Sequence, residues 1–335
     1  VTAFNGAYGI VLQESSVQAV QSQIKVSSSD LLAVGINLSG ESSYIGEISS
    51  TANVTVDGLL AVGIAFSTES GDHLGTVAGS IVATATGTGT DSVAVAYMFQ
   101  DGSGRSAETE NTLYLADGAT LKAVNNASTK RAMAFSSYPT DTVSIQIQGD
   151  GGTFYITGGA SVGKGITLSG GTYEWDNLCT LKEGTVIAMW PEDEAMLAVA
   201  TQITVGSDAV LKLGTSASLE EGNLNVLGEV VLSANTLTEF TAISLDEGAK
   251  LTGDGRVTLV LSEGFVADAG QTMQLIELLN GASISGTALD NFKILLADGQ
   301  ELALSEYTLD TLTGLLTFNG NIPEAAHAAA LLSLL

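Results

Sequence analysis

Short runs of apolar or alternating Val, Thr and Ser positions fill most of the chain, broken by polar, glycine-containing stretches, and no helical period is sustained. VAVAYM at 93–98 has the composition of a buried strand, whereas TGTGTDS at 86–92 and DGSGRSAETEN at 101–111 read as loops leaving a regular core. The pattern also repeats. LLAVGINL at 31–38 returns as LLAVGIAF at 59–66, 28 residues later. AYGIVL at 7–12 lies 26 residues before AVGINL at 33–38, VAYMF at 95–99 follows VGIAF at 62–66 by 33, and AMAFS at 132–136 continues the series.

Further along, the recurring unit becomes a turn followed by a strand: ADGATLKAV at 116–124, KEGTVIAM at 182–189, GSDAVLKLG at 206–214 and DEGAKLTG at 246–253. The glycine permits a positive φ, the acidic side chain can accept hydrogen bonds from nearby amides, and the aliphatic residue that follows turns inward. Such a unit marks a corner.

Repeats of roughly 20 to 35 residues, each with two or three short strands, predict stacked coils rather than a sandwich. The expected fold is all-β: a right-handed parallel β-helix (β-solenoid) with variable lateral loops and a C-terminal capping segment. At about 26 residues per coil and 4.8 Å per rung this gives roughly 12 coils and a rod of about 55 Å. Four regions are expected: coils with long loops over 1–148, a regular shaft over 149–262, terminal coils and cap over 263–320, and the start of a sorting or anchor helix over 321–335. Because the series is already under way at Ala7, earlier coils of a longer protein are expected to precede it.

Composition narrows the chemistry. Gly numbers 39 and Pro only 3 among 335 residues, and 45% hydrophobic content suffices for a core. A formal charge of -26 repels phosphate backbones, so nucleic acid is not an expected partner. Cys179 is the single cysteine, which rules out an intramolecular disulfide; with only His73 and His327 beside it, a zinc set of Cys and His cannot be assembled. No cofactor is expected.

From Gly264 the text runs GFVADAGQTMQLIELLNGASISGTALDNFKILLADGQELALSEYTLDTLTGLLTFNG. Its GQTMQLIEL segment, glycine-rich break, paired strands and closing LLTFNG, with the corner repeats before it, resemble the last coils of autotransporter-like β-helix passengers. The next residues, Ile322, Pro323 and Glu324, precede a small and apolar run and resemble the PEP-CTERM class of bacterial sorting signals. In that family Val/Ile-Pro-Glu-Pro precedes one transmembrane helix and an Arg cluster; here Ala325 replaces the second proline. The eleven residues from Ala325 to Leu335 would span about 16 Å as a helix, short of the roughly 20 residues a bilayer needs. The resemblance implies export, a transient C-terminal membrane anchor, processing by envelope sorting machinery, and a destination outside or on the surface of a Gram-negative-type bacterium, often with matrix polysaccharide. The competing reading of 321–335 is a short helix capping the rod.

Catalytic motifs are sparse. His73 stands in the loop ESGDHLGT and no G-x-S-x-G elbow occurs. Glu192, Asp193 and Glu194 form the densest acidic cluster, next to Pro191, and read as an exposed loop. Arg105, Arg131 and Arg256 are the only arginines available to an acidic sugar, and GDGGTFYI at 149–156 lacks the repeat of a calcium-binding nonapeptide. Tyr173, Trp175 and Trp190 are the candidates for stacking on sugar rings, against the alternative that they pack at coil corners. The expected function is a non-enzymatic extracellular or cell-surface rod in adhesion or matrix structure, with polysaccharide or host glycans as partners. The alternatives are a carbohydrate-active β-helix enzyme (polysaccharide lyase or glycoside hydrolase) and a self-assembling surface filament.

Overall fold

The structure, a computed structural model, describes residues 2–3, 6–29, 31–40, 42–68, 74–86, 92–101, 109–125, 131–138, 143–178, 202–220 and 222–322. It is a parallel β-solenoid. The chain visits three sides in turn, so within the coils consecutive strands do not pair and each bonds to the strand on the same side one coil away. One side is an eleven-stranded sheet from Thr2–Ala3 to Lys293–Leu295, and a second is a ten-stranded sheet from Ser16–Val20 to Ser283–Ile284. The third side is a six-stranded sheet from Ala7–Gln13 to Gly159–Ser161. Its place in chain order is later taken by a three-stranded sheet of Ala217–Glu220, Ile243–Asp246 and Ile276–Leu278. Eleven rungs at about 4.8 Å give a shaft of about 50 Å.

The sequence repeat is the ladder register. Ala7 pairs with Ala33, Leu32 with Leu60, Val62 with Val95 and Phe66 with Phe99, and Ala94 with Ala132. Every spacing read from the repeated text is therefore one turn of the coil. Gly63 belongs to this motif because the sheets approach closely there: a Cβ would lie 2.5 Å from the Ala96 carbonyl oxygen and 2.5 Å from Ile81 Cγ2. The three corner units within the described residues behave alike as well, while 182–189 lies outside them. Ala119, Ala209 and Ala249 donate to the carbonyls of Ala116, Gly206 and Asp246, and each alanine is buried under its turn. Gly118 and Gly248 hold φ of 77° and 79°, a region that favours glycine.

Inward positions stack into apolar columns. Ile24, Val54, Ile81, Leu121, Ile156 and Trp175 occupy successive rungs of the eleven-stranded sheet, and all are buried. Inside the coil four rings follow one another, with centroids 4.9 Å apart from Phe66 to Tyr97, 6.0 Å to Phe135 and 5.7 Å to Trp175. The Tyr97 hydroxyl in this column donates to the amide oxygen of buried Asn111, so the polar tip is satisfied.

The eleven-stranded sheet crosses the expected boundaries at 148/149 and 262/263 without a break. The expected regularity of 149–262 does not hold. Thr153 and Thr172 are paired at an interval of 19 residues, Thr172 and Val210 at 38, and Glu229 and Arg256 at 27, because residues inserted between strands leave the rungs untouched. The last rung is sealed by an antiparallel return: Leu295 bridges Glu301, and Leu302 donates to the Ile294 carbonyl. Thr272–Gln274, Leu315–Phe318 and Tyr307–Asp310 then form an antiparallel cap, in which Phe318 packs on Phe265 at 5.6 Å. Capping the last strands removes an edge that would otherwise template association. Phe135→Ala removes the ring that links Tyr97 to Trp175 and should destabilise the protein by about 3–5 kcal/mol in denaturant unfolding.

Candidate functional site

Corner turns that lead from the ten-stranded to the eleven-stranded sheet stack at 206–209, 227–229, 254–256 and 290–293, and the return segment at 301–304 overhangs them. Between them lies an open groove of about 720 Å³. Alternation decides what it presents. Leu211, Val230 and Val257 point into the core, so their neighbours Val210, Glu229 and Arg256, paired in register, face out. Val231, Thr258 and Lys293 make the adjacent line.

Glu229 is the best-held polar side chain of the groove. Arg256 donates from Nε to Oε1 at 3.2 Å and from Nη2 to Oε2 at 3.0 Å, and the Thr258 hydroxyl also donates to Oε1. Burial pushes the Glu229 carboxyl up, but the bonds from Arg256 and Thr258 and the charges of Arg256 and Lys293 outweigh it, and the carboxyl ends below its ordinary value. Its hydrogen bond to Glu229 in turn raises Arg256, against partial desolvation. A general acid for glycosidic cleavage needs the opposite, a raised carboxyl. Glu229 therefore anchors Arg256 across two coils. Arg256 Nη1 and Lys293 remain at the groove as donors for hydroxyls or carboxylates, and Asp208 and Asp290 as acceptors for hydroxyls, while Asn291 Nδ2 donates to the carbonyls of Asp254 and Gly255. Among the described residues no group of three or more His, Cys, Asp or Glu is arranged to hold a metal ion.

Two of the stacking candidates require correction. Tyr173 and Trp175 are both 0% exposed. In the strand Thr172–Asp176 they occupy the two inward positions, where Tyr173 packs on Phe154 at 5.1 Å and Trp175 on Phe135. Their polar tips are also engaged: the Tyr173 hydroxyl donates to the carbonyl of Ser169, and Trp175 Nε1 donates to that of Gly158 at 2.7 Å. Burial pushes the Tyr173 hydroxyl well above its usual range. Neither ring presents a face to a sugar. Trp190, the acidic cluster Glu192, Asp193 and Glu194, and also His73, Cys179, His327, Pro323 and Glu324 lie outside the described residues. Ile322 is buried and forms an antiparallel bridge with Ala267, so it closes the folded cap.

The exposed aromatic faces belong to other residues. Tyr114 and Tyr155 are 43% and 45% exposed. Each stands at the outward position between two buried neighbours, as in Phe154, Tyr155 and Ile156, an alternation that the sequence carried. The Glu229 and Arg256 pairing had no comparable signal, because it depends on which coil length brings the two strands together.

No known protein family and no characterised protein sequence shows significant similarity to this chain.

Glu229→Gln should lower stability by about 1 kcal/mol at neutral pH. A carboxyl lowered by folding stabilises above its ordinary value of 4.5 and loses that contribution as pH falls through the folded value. The gap between wild type and Glu229→Gln in thermal melts should therefore be full above about pH 5 and shrink on further acidification.

Proposed function

We propose that this chain is a non-enzymatic rod that acts outside the cell or at its surface, as a structural or adhesive element contacting glycans. The observation that carries this reading is the continuity of the eleven-stranded sheet, in which one register runs from Thr2–Ala3 to Lys293–Leu295 while inserted residues vary around it. Such a shaft acts as a rigid spacer, and its strands hold outward side chains in straight lines. The negative net charge of -26 favours a solvated surface and disfavours anionic partners.

The segment that resembles a sorting signal begins at Ile322, which is buried and bridged to Ala267 at the end of the cap. Its place in the chain, immediately after the last strand of the cap, supports its use as an address. On this reading the precursor is held briefly at the envelope of a Gram-negative-type bacterium and then released to or retained on the surface.

Deletion of residues 323–335 from the full-length precursor in its native cell tests the address. The expected result is loss of surface labelling by an impermeant biotin reagent, with the folded solenoid retained inside or released unsorted. Unchanged surface labelling would contradict the proposal.

A further inference from the structure

We propose that the outer face of the ten-stranded sheet, centred on the strands Val143–Gly149, Gly165–Ser169, Gln202–Val205 and Asn223–Val226, binds an extended, uncharged glycan chain. The inference rests on the reading of the chain as a surface rod and names the partner class for one of its sides.

These four neighbouring strands contain no charged residue. On the eleven-stranded sheet, five consecutive rungs carry Glu174, Lys212, Glu229, Arg256 and Lys293. In a molecule of charge -26 an uncharged patch, here flanked by Glu47, Glu110 and Lys250 on other strands of the sheet, is where an uncharged partner can approach without displacing counterions or desolvating ions.

The face is also regular. Thr112, Gln146, Thr167, Thr204, Asn225 and Thr252 stand in one line across six rungs. Beside it Tyr114, Gln148 and Ser169 form a second line. The line advances by about 4.8 Å per rung, close to the length of one residue of an extended pyranose chain. Amides and hydroxyls offer both donors and acceptors, as sugar hydroxyls require. The side chains of Gln146, Gln148, Thr167, Gln202 and Thr204 make no hydrogen bond among the described residues, so this capacity is unspent within them. Thr167, Thr204 and Asn225 are half-buried between their rung neighbours and would lose little freedom on binding.

Exposed Tyr114 is the feature that selects a sugar over a second copy of the same face. It stands in the second line between Thr76 and Gln148, where its ring can stack on the apolar face of a pyranose while the amides and hydroxyls beside it bond the rim. Because each rung contributes weakly, affinity should rise steeply with glycan length.

The test is depletion of the full chain from solution by amorphous cellulose and by insoluble β-1,3-glucan, with soluble alginate as the anionic polymer in affinity electrophoresis. Wild type should bind at least one neutral glucan, with little change between low and high salt, and should bind alginate weakly or not at all. Thr167→Lys combined with Thr204→Lys should weaken binding at least tenfold with an unchanged melting temperature, and Tyr114→Ala should weaken it about three- to tenfold. The assignment is overturned if neither glucan binds, if alginate alone binds, if the lysine variant binds like wild type, or if sedimentation shows a dimer that the lysines dissociate. Failure of glucan binding by a rod that is still labelled on the surface would remove this face assignment and leave the surface rod in place.

Discussion

The parallel register between coils is the constraint on which everything else rests. Each strand must meet the strand one turn away with the same residues facing inward, because side chains alternate with a period of two and a slip by one would turn a whole column to solvent. Satisfying that rule rung after rung places Ile24, Val54, Ile81, Leu121, Ile156 and Trp175 in one buried column and, by the same alternation, fixes what the outside shows. The core and the surface are two readings of one register. Insertions are tolerated because they fall between strands: intervals of 19, 27 and 38 residues all return to the same ladder.

This explains which features were legible in the sequence. The LLAVGI motif and its looser relatives gave correct rung spacings because the columns they build demand similar residues at each turn, with Gly63 added where a Cβ would collide with Ala96 and Ile81. The acidic-glycine units at 116–124 and 246–253 mark corners, since Gly118 and Gly248 need a positive φ. For Tyr173 and Trp175 the packing alternative holds and the stacking one does not, a choice the sequence leaves open because an aromatic residue in a strand can face either way. Their partners Phe154 and Ile156 show that TYEWD lies in phase with the core. Charge pairs such as Glu229 with Arg256 were out of reach, since coil length varies and two residues 27 apart become neighbours only once the rungs are known.

The sides of the solenoid have consequently diverged. The eleven-stranded side collects ions of both signs and ends in a groove beneath the return segment at 301–304, where Glu229 is committed to Arg256 and Thr258. The ten-stranded side shows an uncharged line of amides and hydroxyls ending beside Tyr114. One register thus supports two surfaces of different chemistry on a shared core, and changes to the outward residues of one leave the buried columns in place.

The most direct test of this account probes the register across an interval of 37 residues, where Thr167 is paired with Thr204. In a Cys179→Ser background, Thr167→Cys and Thr204→Cys would place two thiols on adjacent rungs about 4.8 Å apart, within the Cα separation a disulfide accepts. The account predicts an intramolecular disulfide on mild oxidation of the folded protein, detected by peptide mass mapping, and little cross-linking when the second cysteine replaces exposed Gln202 instead. Failure of the first pair to join, or equal joining of both, would contradict the rung register on which both surfaces depend.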